Sequence, residues 1–310
     1  MSHSAPPDAF AGHVAGLWAP VPVEIVAQWP EGHFAENLAI DASGQVFVSL
    51  HSESRIDRYD PASGTVSRFA DLPAPVAGLA FGGDGALWAT GGVLGQVPGL
   101  IWRIDPNGRV EQWAEIPDAV FLNGATPHPD GRTLLVAESM TGRVIAIDQT
   151  QKNRWWAWLA HDLLRPTGQR VPGANGVKIL DRFTYISVTD RNTLFRAPIN
   201  DDGSAGEIAQ HAADIRADDM AFDVNGNLYI ATHPANSVLR LSPDGMRVTI
   251  AGPAEGAVGA TACAFGRAPA DLNALYVTTT GGAWAPYRGV VQPAKLLRLD
   301  VGARGKDLLS

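Results

Sequence analysis

The sequence predicts an all-β fold, a six-bladed β-propeller with four antiparallel strands per blade, from its turn-rich composition, an internal repeat and the alternation of apolar residues within that repeat. The 310 residues include 33 glycines and 22 prolines, which exceeds what a helical bundle tolerates and fits many tight turns between short strands. A hydrophobic content of 45% is enough for a packed core. We expect one propeller domain over residues 1–310, with a short N-terminal extension over residues 1–20.

The internal repeat consists of six stretches that each read as a strand, a turn and a second strand, as in MAFDVNGNLYIAT. The copies begin at residues 38, 79, 125, 177, 220 and 263, so the repeat length is 41 to 52 residues. Most copies continue into a third alternating run, such as RIDRYDP, and a fourth, such as RVEQWAEIP. Four strands at this period are typical of a propeller blade, whereas the strands of a sandwich do not repeat in blocks of four.

The N-terminal strand is expected to close the ring. Little chain follows KLLRLD in the sixth copy, whereas EIVAQWP near the N-terminus resembles the fourth runs of other copies. An N-terminal strand that completes the sixth blade would remove the unpaired edges that an open sheet exposes.

The net charge limits the classes of partner that we expect, and the cysteine content excludes an intrachain disulfide. The formal net charge is −8 with no basic stripe, so neither nucleic acid nor an anionic membrane is expected as a partner and a small-molecule substrate is. Cys263 is the only cysteine and lies in an apolar strand, so an intrachain disulfide is excluded and the residue reads as core. No signal peptide or membrane-spanning run is recognised, which predicts a cytoplasmic protein.

One column of the repeat alignment contains the candidate metal ligands. In a propeller the first strand of each blade lines the channel, so residues two positions before the repeated strand motif should ring one mouth. That column reads Glu36, Ala77, Asn123, Asn175, Asp218 and Thr261. Two carboxylates and two amides form a hard oxygen site that suits Ca²⁺. Mg²⁺ or Mn²⁺ could also bind, and Zn²⁺ is less favoured because the column holds no histidine or cysteine.

Other roles are open for each of these residues. Asn123-Gly124 and Asn175-Gly176 are also turn signals. Glu36 could be a solvated loop carboxylate, and Asp218 could cap a turn. The agreement of all four in register favours the metal site.

Asp219 breaks the pattern of the next column, where small residues predominate. It could act as a general base beside the metal, or it could bond to a neighbouring loop.

The ends of the second strands should lie on the same face as the metal column. They supply candidate substrate contacts, each of which could instead be inert: His51, Glu138, Asp190 and His233. Long connections over residues 91–99, 159–173 and 280–294 also fall on this face and could wall a pocket. Trp284, Tyr287 and Arg288 are candidate lid contacts, although Trp284 could pack on its own blade.

Several stretches, namely ENLAID, FLNGATPHPDG, GANGVK, ADDMAFDVNGNLYIA, TACAFG and ALYVTT, resemble the family of calcium-dependent lactonases that includes regucalcin and bacterial gluconolactonases. The resemblance covers nearly the whole chain. It implies a six-bladed propeller with one divalent cation held by a Glu, two Asn and an Asp, which match Glu36, Asn123, Asn175 and Asp218.

The chain departs from that family in two stretches. Sugar lactonases of the family tend to have Arg and Asp where this chain has Phe121 and Gly124, which implies a substrate less polar than a sugar lactone and makes Phe121 a candidate contact. The family's usual Pro-Asp-Gly-Met reads Ala217-Asp218-Asp219-Met220 here. Asp219 therefore stands where the family has a glycine.

The sequence thus predicts a metal-dependent hydrolase that opens a lactone, in which Asp218 or Asp219 deprotonates the attacking water if the metal does not activate it. An aryl-ester or organophosphate hydrolase similar to paraoxonases is one alternative. A non-catalytic small-molecule-binding propeller is another, because strictosidine synthases resemble this fold and use no metal.

Overall fold

The computed structural model describes residues 17–168 and 171–306. Over these residues the strands form six sheets arranged as a propeller, which confirms the predicted fold. Residues 1–16 of the predicted N-terminal extension lie outside the described residues. The first two strands belong to the last two blades: β1 (Leu17–Trp18) and β2 (Val23–Glu31).

The first three blades each consist of four consecutive antiparallel strands. Blade one holds β3 (Ala35–Ile40), β4 (Val46–Leu50), β5 (Arg55–Asp60) and β6 (Thr65–Asp71). Blade two holds β7 (Val76–Phe81), β8 (Leu87–Gly91), β9 (Gly99–Ile104) and β10 (Val110–Ile116). Blade three holds β11 (Leu122–Pro127), β12 (Thr133–Glu138), β13 (Arg143–Asp148) and β14 (Trp155–Ala160).

The other three blades follow the same order from the channel outward. Blade four holds β15 (Ala174–Leu180), β16 (Phe183–Val188), β17 (Thr193–Pro198) and β18 (Ala209–Ala213). Blade five holds β19 (Met220–Phe222), β20 (Leu228–Ala231), β21 (Val238–Leu241) and β22 (Arg247–Ala251). Blade six holds β23 (Ala260–Phe265), β24 (Ala274–Thr279) and β25 (Pro293–Asp300). Short 3₁₀ turns cover Asp162–Leu164, Thr189–Arg191 and Pro253–Glu255.

The N-terminal strand closes the ring as predicted. β2 pairs antiparallel with β25, with Glu24 opposite Arg298, and so provides the fourth strand of blade six. The two-residue strand β1 pairs parallel with β22 and adds a fifth strand to blade five. The sequence did not predict β1, because two residues are too few to show an alternating pattern.

The first strands of the blades surround the channel. Each of β3, β7, β11, β15, β19 and β23 contacts the first strand of both neighbouring blades, so the six form a closed ring. Apolar clusters fill the space between adjacent sheets. Between blades one and two, for example, the indole of Trp102 packs with Ile56 and Val76, all fully buried. These tight contacts fix the first strands and therefore the side chains at their ends.

No helix in residues 17–168 or 171–306 is long and apolar enough to cross a membrane.

Candidate active site

The predicted metal-ligand positions lie at β-bulges in the first strands. The register between first and second strand shifts between Ala35 and Asn37, between Leu122 and Ala125, and between Ala174 and Val177. In blade five, Asp218 and Asp219 together oppose Ala231: the Asp218 amide donates to the Ala231 carbonyl at 2.8 Å, and the Ala231 amide donates to the Asp219 carbonyl at 3.0 Å. A bulge leaves its extra residue out of the ladder and redirects that side chain. The same irregularity therefore recurs at all four predicted ligands.

The two Asn-Gly pairs are parts of strands and not turns. Asn123 and Gly124 lie in β11, and Asn175 and Gly176 lie in β15. A Cβ atom on Gly124 would come within 2.8 Å of the Asn175 carbonyl oxygen, and one on Gly176 within 2.7 Å of the Asp218 carbonyl oxygen. Glycine is needed here because the next blade's first strand approaches the backbone so closely.

Hydroxyl groups tie neighbouring blades together behind these residues. Each donates to a backbone carbonyl at or next to a ring position of the following blade, at 2.6 to 2.8 Å. The pairs are Ser49 to Ala77, Thr90 to Asn123, Ser139 to Ala174, Thr189 to Ala217 and Thr261 to Ala35. These bonds hold the ring of ligand positions at a fixed diameter.

The side chains of the four predicted ligands are buried, and the pKa values of the two carboxyls among them are raised. Burial and the nearby Asp219 raise the pKa of Glu36 from 4.5 to about 8. Burial, Glu36 and Asp219 raise the pKa of Asp218 well above its ordinary value, while the side chain of Asn175 lowers it. Because Glu36 is one cause of the raised pKa of Asp218, the carboxyls of blades one and five lie close enough to interact.

Hydroxyl groups lie against the amide nitrogens of the two asparagines in the ring. The Asn175 Nδ2 donates to Thr189 Oγ1 at 3.0 Å, and the Asn123 Nδ2 lies 3.4 Å from Ser139 Oγ. The Asn175 Oδ1 is buried and has no hydrogen-bond partner among the described residues. A buried carbonyl oxygen without a donor, next to two desolvated carboxyls, fits a divalent cation with oxygen ligands.

The four predicted ligands include no histidine and no cysteine, the residue types that are typical of transition-metal sites. Over residues 17–168 and 171–306, no three His, Cys, Asp or Glu side chains come together in a group that could hold a metal ion. The predicted set of two carboxylates and two amides has only oxygen ligands, the donor type that hard cations prefer, and cation binding stays a prediction.

The carboxylate of Asp219 is held by an ion pair and by hydrogen bonds to residues outside the set of predicted ligands. Lys178 Nζ lies 2.6 Å from its Oδ1 and 2.8 Å from its Oδ2. Asn37 Nδ2 donates to Oδ2 at 3.0 Å, and the Met220 amide donates to Oδ1 at 2.8 Å. Both oxygens are thus engaged by three neighbours from blades one, four and five. This geometry favours a holding role for Asp219, and the predicted role as general base stays a prediction.

Two neutral imidazoles flank the ring. His51 Nδ1 donates to the Val76 carbonyl at 3.0 Å, which leaves Nε2 as the acceptor atom, and burial lowers the pKa of this histidine. His233 Nδ1 lies 3.7 Å from Asp218 Oδ2. Burial, with a smaller effect of Arg216, lowers the pKa of His233 to about 4. Both rings are therefore uncharged near neutral pH.

Aromatic side chains cover this mouth. Phe34 lies one residue before β3, with its ring centroid 4.2 Å from Trp284, 5.6 Å from His233 and 6.0 Å from His51. Phe121 contacts His51 edge-on at 6.1 Å. Trp284 reaches this aromatic cluster from the predicted lid loop, although 56% of its surface stays exposed. The mouth above the carboxylates is therefore lined by aromatic rings, and a substrate less polar than a sugar lactone stays a prediction.

Two further predicted substrate contacts, Glu138 and Asp190, accept hydrogen bonds from neighbouring loops. Glu138 is fully buried, and its carboxylate accepts bonds from the amides of Val120, Phe121 and Thr141, which fix the loop that carries Phe121. Asp190 Oδ2 accepts bonds from the amide and hydroxyl of Thr167. Their geometry favours loop positioning, and direct substrate contact by either stays a prediction.

Tyr287 and Arg288 lie at the tip of the predicted lid loop. The Arg288 guanidinium lies 5.2 Å from the Tyr287 ring centroid, and Arg288 is exposed. Neither is part of the aromatic cluster that Trp284 joins, so their contact with substrate also stays a prediction.

Sequence reasoning missed three residues of the site: Phe34, Asn37 and Lys178. A signal was available for Lys178, because it is the charged residue of an otherwise apolar inner strand, ANGVKIL. A lone lysine in one inner strand and a surplus carboxylate beside the next inner strand indicate a buried pair. Phe34 and Asn37 gave no comparable signal, since their contacts depend on how distant blades meet.

One protein-family model matches part of the chain. The family model described as SMP-30/Gluconolactonase/LRE-like region matches residues 165–281, which contain Asn175 and Asp218. This match supports the family resemblance read from the sequence motifs.

Among curated proteins, the chain is 25% identical over 308 residues to a "putative hetero-Diels-Alderase" from Phoma sp, covering 84% of this chain and 87% of that protein. Among solved structures, it is similar to a luciferin-regenerating enzyme with a TM-score of 0.71 and 15% identity, covering 94% of this chain and 99% of that one. It is also similar to the calcium-binding protein regucalcin from Agrobacterium tumefaciens with a TM-score of 0.70 and 18% identity, covering 96% and 98%. At these identities the structural matches establish the propeller fold.

Proposed function

We propose that this chain, which carries an SMP-30/gluconolactonase/LRE-like region over residues 165–281, is a divalent-cation-dependent hydrolase that opens lactones bearing apolar substituents. The observation that supports it best is the ring itself: two buried carboxyls with raised pKa values and an amide oxygen without a donor, all at equivalent bulges. Such a ring is costly to bury without a cation.

Glu36, Asn123, Asn175 and Asp218 would hold the ion, which we expect to be Ca²⁺. When bound, a divalent cation would polarise the lactone carbonyl, stabilise negative charge on its oxygen and keep the two carboxyls ionised. The similarity in fold to the calcium-binding protein regucalcin favours the same ion.

Asp218 is the residue best placed to move the proton. Its carboxylate adjoins the aromatic mouth beside His233, so it can take a proton from a water molecule that attacks the carbonyl carbon. The carbon–oxygen bond of the ring then breaks, the ring oxygen takes up a proton, and the product is a hydroxy acid. Asp219, tied to Lys178, would hold the backbone of Asp218 in place.

The aromatic cluster of Phe34, His51, Phe121 and Trp284 would bind the body of the substrate. Such side chains offer a large apolar surface and the Nε2 atom of His51 but no charge near neutral pH. They would therefore select a lactone with an alkyl or aryl substituent over a polyhydroxylated one.

A pH-indicator assay tests this proposal. Chelator-treated protein is offered sugar, alkyl and aryl lactones and an aryl ester, with and without added Ca²⁺, Mn²⁺, Mg²⁺ or Zn²⁺. We expect acid release from the apolar lactones only after cation is restored, and none from a folded Asp218→Ala variant, while the surface variant Asp71→Ala keeps full activity. Unchanged turnover in folded Asp218→Ala would overturn the role of Asp218. Preferential cleavage of the aryl ester would favour an activity of paraoxonase type.

A second candidate function is supported by the Phoma relative, whose 25% identity over most of both chains exceeds that to the two solved structures. A hetero-Diels–Alder reaction joins a diene to a carbonyl or imine bond without water, and an apolar aromatic mouth could hold such a substrate folded. The chelator experiment separates the two. Tight Ca²⁺ binding with no acid release from any lactone or ester would favour this reaction or a binding role over hydrolysis.

A further inference from the structure

A second cavity opens at the other end of the channel from the carboxylate ring. Glu36 lies near the start of β3, whereas Ile40 at the end of the same strand lines this cavity, together with Phe81 at the end of β7 and Phe265 at the end of β23. Its volume is about 250 Å³. We call it the rear cavity. Of the residues assigned above to the candidate active site, Lys178 also lines the rear cavity.

The walls of the rear cavity are apolar. Leu38, Leu79, Ala125 and Phe265 contribute to them. A cavity of about 150 Å³ lined by apolar side chains is large enough to bind benzene. The rear cavity can therefore take a phenyl group with a short arm, or an alkyl chain of about eight carbons.

The charged residues that line the rear cavity, among those that the structure describes, are all cationic. Its charged lining residues are Lys178, Arg267, Arg304 and Lys306, and no Asp or Glu of residues 17–168 and 171–306 lines it. Such a bias is unexpected in a chain with a formal net charge of −8. Lys178 is neutralised by Asp219 at the inner end. The other three also have partners or are exposed: Lys306 Nζ lies 3.5 Å from the exposed carboxylate of Asp181, Arg267 Nη1 donates to the Ile40 carbonyl at 3.5 Å, and Arg304 is exposed.

Backbone hydrogen bonds fix the cationic segment at the opening. The Val224 amide donates to the Arg304 carbonyl at 2.9 Å, and the Lys306 amide donates to the Phe222 carbonyl at 2.9 Å. Between them, Gly305 packs so closely on the Phe265 ring that a Cβ atom would lie 2.2 Å from the Phe265 Cβ. The segment thus forms one wall of the opening and holds its two charges there.

We propose that the rear cavity is a binding site for a small amphiphilic anion, a carboxylate attached to a compact apolar body of about eight carbons. The apolar body lies between Leu38 and Leu79, and the carboxylate meets Arg304 and Lys306 at the opening. Apolar walls with a few convergent charged groups are the usual composition of a small-ligand site. This site does not depend on the function proposed for the opposite mouth.

Octanoate is the probe, titrated calorimetrically into chelator-treated protein. We expect saturable one-to-one binding that weakens when the salt concentration rises from about 20 mM to about 300 mM, because exposed charges are then screened. Octylamine, as the ammonium ion, and 1-octanol should bind at least about tenfold more weakly. In leucine-methyl NMR spectra, the resonances of Leu38 and Leu79 should shift on addition of octanoate.

Three variants separate the rear cavity from other sites. Arg304→Ala/Lys306→Ala should weaken octanoate binding about tenfold, whereas Arg109→Ala, which removes an exposed arginine elsewhere, should not. Asp218→Ala should bind octanoate as the wild-type protein does. Absence of saturable binding, equal binding of octylamine, or equal affinity of the double variant and Arg109→Ala would each overturn the proposal.

Discussion

Lys178 and Asp219 form an ion pair inside the channel, with the lysine Nζ within 2.8 Å of both carboxylate oxygens. Their side chains are only 10% and 4% exposed. Removing one partner of such a pair leaves the other as an uncompensated buried charge. Asp219 also directly follows Asp218, so the pair supports the strand that carries a predicted metal ligand.

Replacing Lys178 with methionine should therefore destabilise the propeller. We expect the free energy of unfolding in urea to fall by about 3–5 kcal/mol. The matched control is Arg68→Ala, which breaks the exposed pair of Arg68 and Asp71 and should cost at most about 1 kcal/mol.

A second variant keeps this prediction testable if Lys178→Met fails to fold. Lys178→Met/Asp219→Gly removes both charges and installs the glycine typical of the resembling family. It should be more stable than Lys178→Met alone. If Lys178→Met and Arg68→Ala had the same free energy of unfolding, the buried pair would contribute no more to stability than the exposed pair.

The amide oxygen of Asn175 should contribute directly to cation binding. Because its Nδ2 is held by Thr189 and its Oδ1 has no hydrogen-bond partner among the described residues, Asn175→Ala should weaken Ca²⁺ binding at least about tenfold. Calorimetric titration measures the effect, and Asn107→Ala in an exposed turn is the control. The same affinity in both variants would remove Asn175 from the ligand set.

Calcium affinity should depend on pH. The pKa of Glu36 is raised to about 8 in the cation-free protein, so Glu36 stabilises that form below its ordinary pKa of 4.5, and this contribution is lost as the pH rises through about 8. Cation binding requires the ionised carboxylate and releases the proton. The apparent affinity for Ca²⁺ should therefore rise about fiftyfold between pH 6 and pH 8 from Glu36 alone, and then level off.

Titrations at three pH values, with proton release measured in two buffers, check this dependence. Glu36→Gln should bind more weakly and show a flatter profile that reflects Asp218. An affinity that stays constant from pH 6 to pH 8 in the wild-type protein would contradict the assignment of Glu36 as a ligand.

Trp284 and Phe121 should determine substrate preference. Trp284→Ala removes an aromatic face that stacks on Phe34, and we expect kcat/KM for an aryl lactone to fall about tenfold, with little change for a sugar lactone. Phe121→Arg restores the residue typical of sugar lactonases and should shift the preference toward the sugar lactone. The ratio of the two kcat/KM values is the readout, and a ratio unchanged in both variants would exclude the aromatic cluster from specificity.

The fold could be predicted because each blade repeats one pattern. Six copies of a strand–turn–strand motif gave the blade number, and the resemblance of EIVAQWP to the fourth runs gave the closure by β2. The position of Glu36, Asn123, Asn175 and Asp218 in one ring followed from the same alignment. Local pattern and topology coincide in a repeat protein, so a register read from one blade transfers to the others.

What the sequence did not show depends on contacts between blades. The bulges that turn Asn123 and Asn175 out of their strands look like ordinary turns in an Asn-Gly pair. The partners of Asp219 come from residues 41 and 182 positions away. Such pairings form when the ring closes, and the alternation of residues within one strand does not predict them.

The most direct test of the central claim is an anomalous difference map from a crystal of the chelator-treated protein soaked with Mn²⁺. We predict one strong peak in the channel mouth, within bonding distance of Glu36, Asn123, Asn175 and Asp218. No peak at this ring in the crystal of an active protein, or a peak that contacts none of these four side chains, would contradict a metal-dependent site at this mouth.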